Sequence, residues 1–150
     1  MTSDQPAWPP AAAGSQASGA ALLVLDQRFD GRSLYQLRAA VTACIQALGA
    51  APRLTDDVVL AVHELASNSV LHGPGRGRLT MWQDQATLIC EVTEDDGNGP
   101  AHPGTSRQPD PAWPVEHGHG LWLVRQVAEQ FAVQCGERGA RTTIAFTLPP

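Results

Sequence analysis

The sequence predicts an α/β domain with a largely antiparallel β-sheet, and three observations support this fold class. Two segments carry apolar residues at helical spacing. The shorter apolar runs come in pairs separated by brief turns, as in β-hairpins. The length of 150 residues and the hydrophobic fraction of 43% suit one domain with its own core.

The chain is expected to begin with a disordered tail over residues 1–20, followed by a single domain over residues 21–150. The tail consists mostly of Pro, Ala, Gly, Ser and Gln, which bury too little apolar surface to order a segment. It shows no signal peptide, and no apolar run is long enough to span a membrane. We therefore expect a cytoplasmic protein without a membrane partner.

The first half of the domain is predicted to contain one strand and two helices. The strand covers 21–25, where the chain is apolar, and the first helix covers 31–48 and ends at Gly49. The second helix is expected to start with Thr55 as its N-cap, because Asp56 and Asp57 follow in the first turn. It must end at His72, before a Gly-Pro-Gly sequence.

The second half is predicted to contain two hairpins separated by a loop and a short helix. The first hairpin pairs 78–83 with 86–92, and the second pairs 131–135 with 142–148. Residues 95–119 show no periodicity and form a predicted loop, which is long enough to act as a lid or a binding loop. A helix is expected over 121–130.

Charge argues against one kind of partner, and composition excludes one kind of ligand site. The formal net charge is −5, so nucleic acid is not the expected partner. All ten basic residues are Arg and none is Lys. Because a Walker-type phosphate loop requires a lysine, such a nucleotide site is excluded.

A carboxylate and an amide lie one helical turn apart in the second predicted helix. Glu64 and Asn68 share a face with Asp57 and Ala61. An amide oxygen is a suitable ligand for Mg²⁺, and a carboxylate one turn away can orient or deprotonate a nucleophile. The alternative is a solvated polar stripe on a half-buried helix.

Two glycine-containing segments are further candidates for ligand binding. Asp95-Asp96-Gly97-Asn98-Gly99 follows a strand, where alternate glycines permit close approach to a ligand and a carboxylate can accept a bond from a purine amino group. An ordinary acidic turn is the alternative. Gly118-His119-Gly120-Leu121 is predicted to open a helix, whose free N–H groups suit a phosphate.

The order and spacing of these segments resemble those of the GHKL (histidine kinase-like) ATPase superfamily. The chain most resembles the small anti-sigma factor serine/threonine kinases of the RsbW and SpoIIAB type, over about residues 22–148. The similarity includes Asn68-Ser69-Val70-Leu71-His72-Gly73. It implies a Bergerat-type fold, a two-layer sandwich with helices on one face of a mixed, mostly antiparallel sheet.

The resemblance also implies roles for individual residues. Glu64 would be the catalytic general base and Asn68 the Mg²⁺ ligand. Asp95 would recognise the adenine amino group, and Gly97 and Gly99 would shape its turn.

A lid over residues 100–117 would close over the phosphates of ATP. The candidate nucleotide-binding residues at its end are Gly118, His119, Gly120 and Leu121. For His119, an exposed loop histidine without a function is the alternative. Arg107 is a candidate partner of the γ-phosphate, and a solvated lid arginine is the alternative there.

The reaction implied by the resemblance is phosphorylation of a serine on an anti-sigma factor antagonist of the STAS type. The cofactors would be ATP and Mg²⁺. The protein would also sequester a sigma factor. The resemblance further implies a possible homodimer. The alternative is a non-catalytic module that binds nucleotide and protein partners without kinase activity.

Overall fold

The structure, a computed structural model, describes residues 21–94, 115–136 and 139–149, with the side chains of 115–120 and 135–136 excepted. The predicted tail over 1–20 lies outside these residues. The elements that they form, in chain order, are β1 (Ala21–Asp30), α1 (Leu34–Ala47), α2 (Pro52–His72), β2 (Arg76–Asp84), β3 (Thr87–Glu94), α3 (Val115–Val127), β4 (Gln130–Gly136) and β5 (Gly139–Thr147). None of these helices combines the length and hydropathy needed to span a membrane.

The five strands form one sheet in the order β1-β2-β3-β5-β4. Every pair of neighbouring strands among the described residues is antiparallel. The three helices pack on one face of this sheet, with α2 between α1 and α3. The predicted two-layer α/β architecture is therefore confirmed.

The core lies between the helices and this face of the sheet. In β3, alternate residues Leu88, Cys90 and Val92 point into it, as the two-residue period of a strand requires. The same alternation places Glu94 on the helix-facing side, at the end of the strand. The helices contribute side chains at three- and four-residue spacing, among them Leu37 and Val41 of α1.

β1 is longer than the predicted strand over 21–25 and continues to Asp30. The strand pairs with β2 from Ala21 to Asp30, and Phe29 is buried opposite Gly77. The chain turns into α1 at Asp30, whose Oδ1 accepts bonds from the backbone N–H groups of Arg32 (2.8 Å) and Ser33 (3.1 Å). The predicted end of α1 is confirmed, since Gly49 has a φ of 85° and follows the last turn.

The predicted start of α2 at Thr55 is wrong by one helical turn. The helix begins at Pro52, with Ala51 as its N-cap. Proline is tolerated at the first position of a helix, since its missing N–H would have no partner there. Thr55 is buried inside the helix, and its hydroxyl donates to the Ala51 carbonyl at 3.1 Å.

The predicted start of the last helix at Leu121 is also wrong. α3 begins at Val115 and ends at Val127, so Gly118 and Gly120 lie within its first half. Glycine disfavours a helix by only about 1 kcal/mol relative to alanine, which packing of α3 against α2 can offset. The predicted hairpins are confirmed in β2–β3 and β4–β5, while 137–138 lie outside the described residues.

Candidate functional site

Glu64 and Asn68 lie on α2 at the border between the core and solvent. Both are half-buried. Their helical neighbours on the core side, Ala61 and Leu65, are buried, whereas Leu71 on the other side is exposed. The structure therefore places the carboxylate and the amide side by side at an accessible edge of the helical layer, as their four-residue spacing predicts.

Neither of these two side chains forms a hydrogen bond or an ion pair in the part of the chain that the structure describes. Among the described residues, the buried side-chain polar atom without a hydrogen-bond partner is His63 Nδ1. The unpaired polar atoms of Glu64 and Asn68 are therefore accessible to solvent. The pair is thus free to engage a ligand. Polar residues on an ordinary solvated helix face would also lack partners. The pair therefore indicates a ligand site only in combination with the residues around it.

The donor set fits a Mg²⁺ ion that is shared with a phosphate ligand. Among the described residues, no cluster of three or more His, Cys, Asp or Glu side chains could hold a metal by itself. Mg²⁺ commonly takes one or two protein ligands and completes its shell with water and phosphate oxygens. The free amide oxygen of Asn68 fits this requirement.

The C-terminal end of α2 lies against the end of β3. A methyl group at Gly73, the residue that ends α2, would come within 2.6 Å of Glu94 Oε2 and within 2.8 Å of the Ser69 carbonyl. Only glycine fits this contact without a shift of one of these groups. The contact therefore lies at Ser69, which follows Asn68 in the sequence, and at Glu94, which precedes Asp95 in the sequence.

The Glu94 carboxylate also reaches β5. Its Oε1 accepts a hydrogen bond from the backbone N–H of Ala140 at 3.1 Å. Burial raises the pKa of Glu94, and the bond from Ala140 opposes this shift. Glu94 therefore contacts α2 and β5 from the last position of β3.

The helical start of α3 changes the predicted phosphate site. Only the first four N–H groups of a helix lack a partner within it. These are the N–H groups of the N-cap and of the first three helical residues, which are 115–117 in α3, so Gly118 and Gly120 both lie beyond them. The fourth residue of α1 and of α2 likewise donates to its N-cap carbonyl, Leu37 to Ser33 and Thr55 to Ala51 at 2.9 Å each. The helix bounds therefore give neither glycine a free N–H for a phosphate, and their predicted role stays a prediction. Leu121 is half-buried and packs against the core.

The remaining candidate residues are not placed by the structure. Asp95, Gly97, Gly99 and Arg107 lie outside the described residues, as does most of the predicted lid over 100–117. The side chain of His119 also lies outside the description, although its backbone is helical. The roles of these residues stay predictions.

A groove of about 490 Å³ lies between α1 and α2 and is a different site. Arg38, Gln46 and His63 are among its lining residues, and neither Glu64 nor Asn68 is. His63 shares a hydrogen bond of 3.3 Å with Ser67, one turn further along α2. The groove is therefore on another flank of α2 and does not contribute to the predicted nucleotide site.

Glu94 is the residue of this region that the sequence-based prediction missed. The signal was present, because Leu88, Cys90, Val92 and Glu94 alternate along one strand face. A carboxylate on the buried face of a strand destabilises the fold unless a polar group there hydrogen-bonds to it. What the pattern did not reveal is that the partner comes from β5.

Comparison with known proteins identifies a matching family and similar solved structures. The family model described as "Histidine kinase-like ATPase domain" matches residues 28–147. The solved structure of the RsbU and RsbW domains of Rv1364c from Mycobacterium tuberculosis is similar with a TM-score of 0.60 and 14% sequence identity. The match covers 83% of this chain and 32% of that chain, so this chain spans about a third of it. No curated protein matches the sequence.

Proposed function

Because the chain belongs to the histidine kinase-like ATPase domain family, we propose that it binds Mg·ATP and transfers the γ-phosphate to a serine of a partner protein. The family membership predicted from the sequence motifs is confirmed by the match over residues 28–147. The fold is similar to that of a solved chain with an RsbW domain. These findings establish the family and the fold, and the kinase activity is the proposal.

One observation carries this proposal. Glu64 and Asn68 are half-buried, without polar partners among the described residues, and one turn apart on α2. The end of the same helix contacts the end of β3 through Gly73 and Glu94. The proposed base and the proposed magnesium ligand therefore share a helix whose end contacts Glu94, the last residue of β3.

In the proposed reaction, the serine hydroxyl attacks the γ-phosphorus of ATP. A bond forms between the serine oxygen and phosphorus, the bond from phosphorus to the β–γ bridging oxygen breaks, and ADP leaves. Glu64 accepts the proton of the hydroxyl. Mg²⁺, when bound, neutralises charge on the phosphates, and Asn68 would hold it. The protein otherwise acts by positioning, which suits phosphoryl transfer.

The other nucleotide contacts are proposed on the family resemblance. Asp95 would accept a hydrogen bond from the adenine amino group, with Gly97 and Gly99 allowing close approach. Gly118 and Gly120 are proposed to lie beside the phosphates on the family resemblance alone, because the helix bounds give neither of them a free N–H. Arg107 is proposed to neutralise the γ-phosphate.

The proposed partners are those of an anti-sigma factor kinase. The phosphorylated protein would be a STAS-type antagonist, and the sequestered protein a sigma factor. The resemblance of the motifs and the similarity to a chain with an RsbW domain support this choice. A second copy of the chain is a further proposed partner.

The first experiment measures nucleotide binding and phosphotransfer with the full chain. Binding of ATP is measured by calorimetry with and without Mg²⁺, and phosphotransfer with γ-labelled ATP and STAS-domain proteins from the same genome. Glu64→Gln is expected to keep ATP affinity and to lower the transfer rate by about 10²–10⁴-fold. Asn68→Ala is expected to weaken binding of Mg·ATP more than binding of metal-free ATP.

Asp56→Asn provides a matched control, because Asp56 is an exposed carboxylate on the same helix. It should change neither binding nor transfer. ATP binding without transfer to any antagonist would favour the non-catalytic binding module. Absence of ATP binding would overturn the proposed function as a whole.

A further inference from the structure

We propose that Glu94 is a positioning residue that assembles the nucleotide site before ATP arrives. Its carboxylate joins the end of α2 and the start of β5 at the point where the chain leaves β3. The functional part of this inference rests on the proposed ATP binding. The structural part rests on the contacts of Glu94 alone.

β3 ends differently toward its two neighbouring strands. The ladder between β3 and β5 stops at the pair Thr93–Arg141. On the other side, Glu94 still pairs with Gly77 of β2. Toward β5, its side chain accepts a hydrogen bond from the backbone N–H of Ala140. A side-chain oxygen thus satisfies a backbone donor of the sheet. The Glu94 main chain is free to leave β5, and the next residue is Asp95.

The Glu94 carboxylate also contacts the end of α2. Glu94 Oε2 lies where a side chain of residue 73 would be, at 2.6 Å from the position of its Cβ. The same Cβ position is 2.8 Å from the Ser69 carbonyl, which accepts the N–H groups of Gly73 and Gly75 at 3.1 Å each. The carboxylate therefore packs directly against the capped end of the helix that carries Asn68.

The β4–β5 hairpin lies against Glu94 at Gly139. A Cβ at Gly139 would lie 3.1 Å from Glu94 Oε1 and 3.2 Å from Glu94 Cβ. Gly139 also has a φ of 101°, which a larger residue would adopt only with strain. Two glycines thus leave room for one carboxylate between α2 and β5.

The consequence is that the end of α2, the helix that carries Asn68, and the end of β3 are held together at one point. A site whose parts are held before the ligand binds does not lose affinity to ordering them. A displacement of about 1 Å in such a site can cost a large factor in function. Loss of the Glu94 carboxylate is therefore expected to weaken nucleotide binding, although Glu94 itself does not touch the nucleotide.

The competing explanation is that Glu94 only satisfies a backbone donor and stabilises the sheet. Glu129 offers a matched control for it at the other end of β5. Its Oε2 accepts the backbone N–H of Thr147 at 3.0 Å, and its Oε1 accepts the Thr147 hydroxyl at 2.6 Å. Glu129→Ala removes the same type of bond without touching α2.

The experiment compares the full-length wild type with Glu94→Ala, Glu94→Gln and Glu129→Ala. For each, the melting temperature and the dissociation constant of ATP are measured, and hydrogen exchange is followed without nucleotide. Glu94→Ala is expected to weaken ATP binding by about tenfold or more. Glu94→Gln keeps an acceptor for Ala140 and should restore affinity to within about threefold of wild type. Glu129→Ala should bind ATP as the wild type does.

Three results would overturn the proposal: wild-type ATP affinity in Glu94→Ala, equal loss in Glu129→Ala at the same change in melting temperature, or no rescue by Glu94→Gln. If the wild type does not bind ATP, the proposed function fails on its own. The exchange data then decide the structural part. Faster exchange of the last turn of α2 in Glu94→Ala, but not in Glu94→Gln or Glu129→Ala, supports the proposal that Glu94 joins α2 to β5, and unchanged exchange refutes it.

Discussion

Arg141 of β5 reaches across the sheet to Glu91 of β3, with its Nε 3.4 Å from Oε2 of the carboxylate. The pair lies on the sheet face that the helices do not cover, because Glu91 alternates with the core residues Cys90 and Val92. Glu91 is nevertheless 8% exposed. Its carboxylate also accepts a hydrogen bond of 3.5 Å from the hydroxyl of Thr143. A buried charge is thus compensated by two neighbours from one strand.

Replacement of Arg141 by Gln is expected to destabilise the protein, and more so at neutral than at acidic pH. Burial raises the pKa of Glu91, while Arg141 and Thr143 oppose this shift. A raised folded-state pKa means that stability falls as pH rises from the ordinary glutamate value through the raised one. Without Arg141 the pKa rises further, so the loss at pH 7 should be about 1–3 kcal/mol.

Chemical denaturation at pH 7 and at pH 4.5 measures this difference. Gln134→Ala is the control, because it removes the other hydrogen-bonding partner of the Arg141 guanidinium and leaves the Glu91 pair in place. Its effect should not depend on pH. Equal destabilisation by Arg141→Gln at both pH values would contradict the burial argument.

The ion pair between Asp26 and Arg78 should have the opposite pH dependence. Two bonds join the side chains, Nε to Oδ1 at 2.8 Å and Nη2 to Oδ2 at 2.6 Å. The hydrogen bond from Arg78 is the main cause that lowers the pKa of Asp26. Stability from this pair is therefore present above the ordinary aspartate pKa and lost as pH falls through the lowered value.

Because both side chains are about a third or more exposed, the pair contributes at most about 1 kcal/mol. Asp26→Asn should lose this amount at pH 7 and low salt, and less in 1 M salt. Denaturation at the two salt concentrations measures it, with Asp56→Asn as an exposed control. A salt-independent loss would contradict an electrostatic origin.

Gln85→Gly is expected to stabilise the hairpin between β2 and β3. Gln85 is the first residue of its two-residue loop and has a φ of 57°. A non-glycine residue there costs about 1–2 kcal/mol, and the extra unfolded-state entropy of glycine offsets about 0.5–1 kcal/mol. A net gain of about 0.5 kcal/mol should appear in urea denaturation. Ala86→Gly should instead destabilise, since residue 86 has no positive φ.

Ala51→Asp is expected to stabilise α2. Ala51 is the N-cap, with extended backbone and no side-chain cap, so the first N–H groups of the helix lack a side-chain acceptor. An aspartate there accepts one of them and contributes about 1 kcal/mol. Thermal unfolding measures the gain. Ala39→Asp, at an exposed position inside α1, should give no gain, and stabilisation by both variants would contradict the capping explanation.

The spacing of apolar residues and the positions of glycine and proline predicted most helices and strands. The structure shows why the starts of α2 and α3 were missed. Thr55 and Asp56 have the composition of a helix start, yet Pro52 begins α2 because it fits the first position and adds a turn that buries Thr55. Gly118 and Gly120 disfavour a helix locally, yet packing of α3 on α2 extends it to Val115. Local propensities are worth about 1 kcal/mol a residue, and tertiary packing exceeds them.

The sequence by itself determined the family, the helix that carries Glu64 and Asn68 and their shared face, because helical spacing is a local property. Only the tertiary structure decided which distant groups meet at Glu94. Its neighbours, Gly73 and Ala140, are 21 residues before it and 46 after it in the chain. Such contacts depend on the strand order, in which β5 pairs with β3. Strand order follows from packing of the whole domain, which no local spacing encodes.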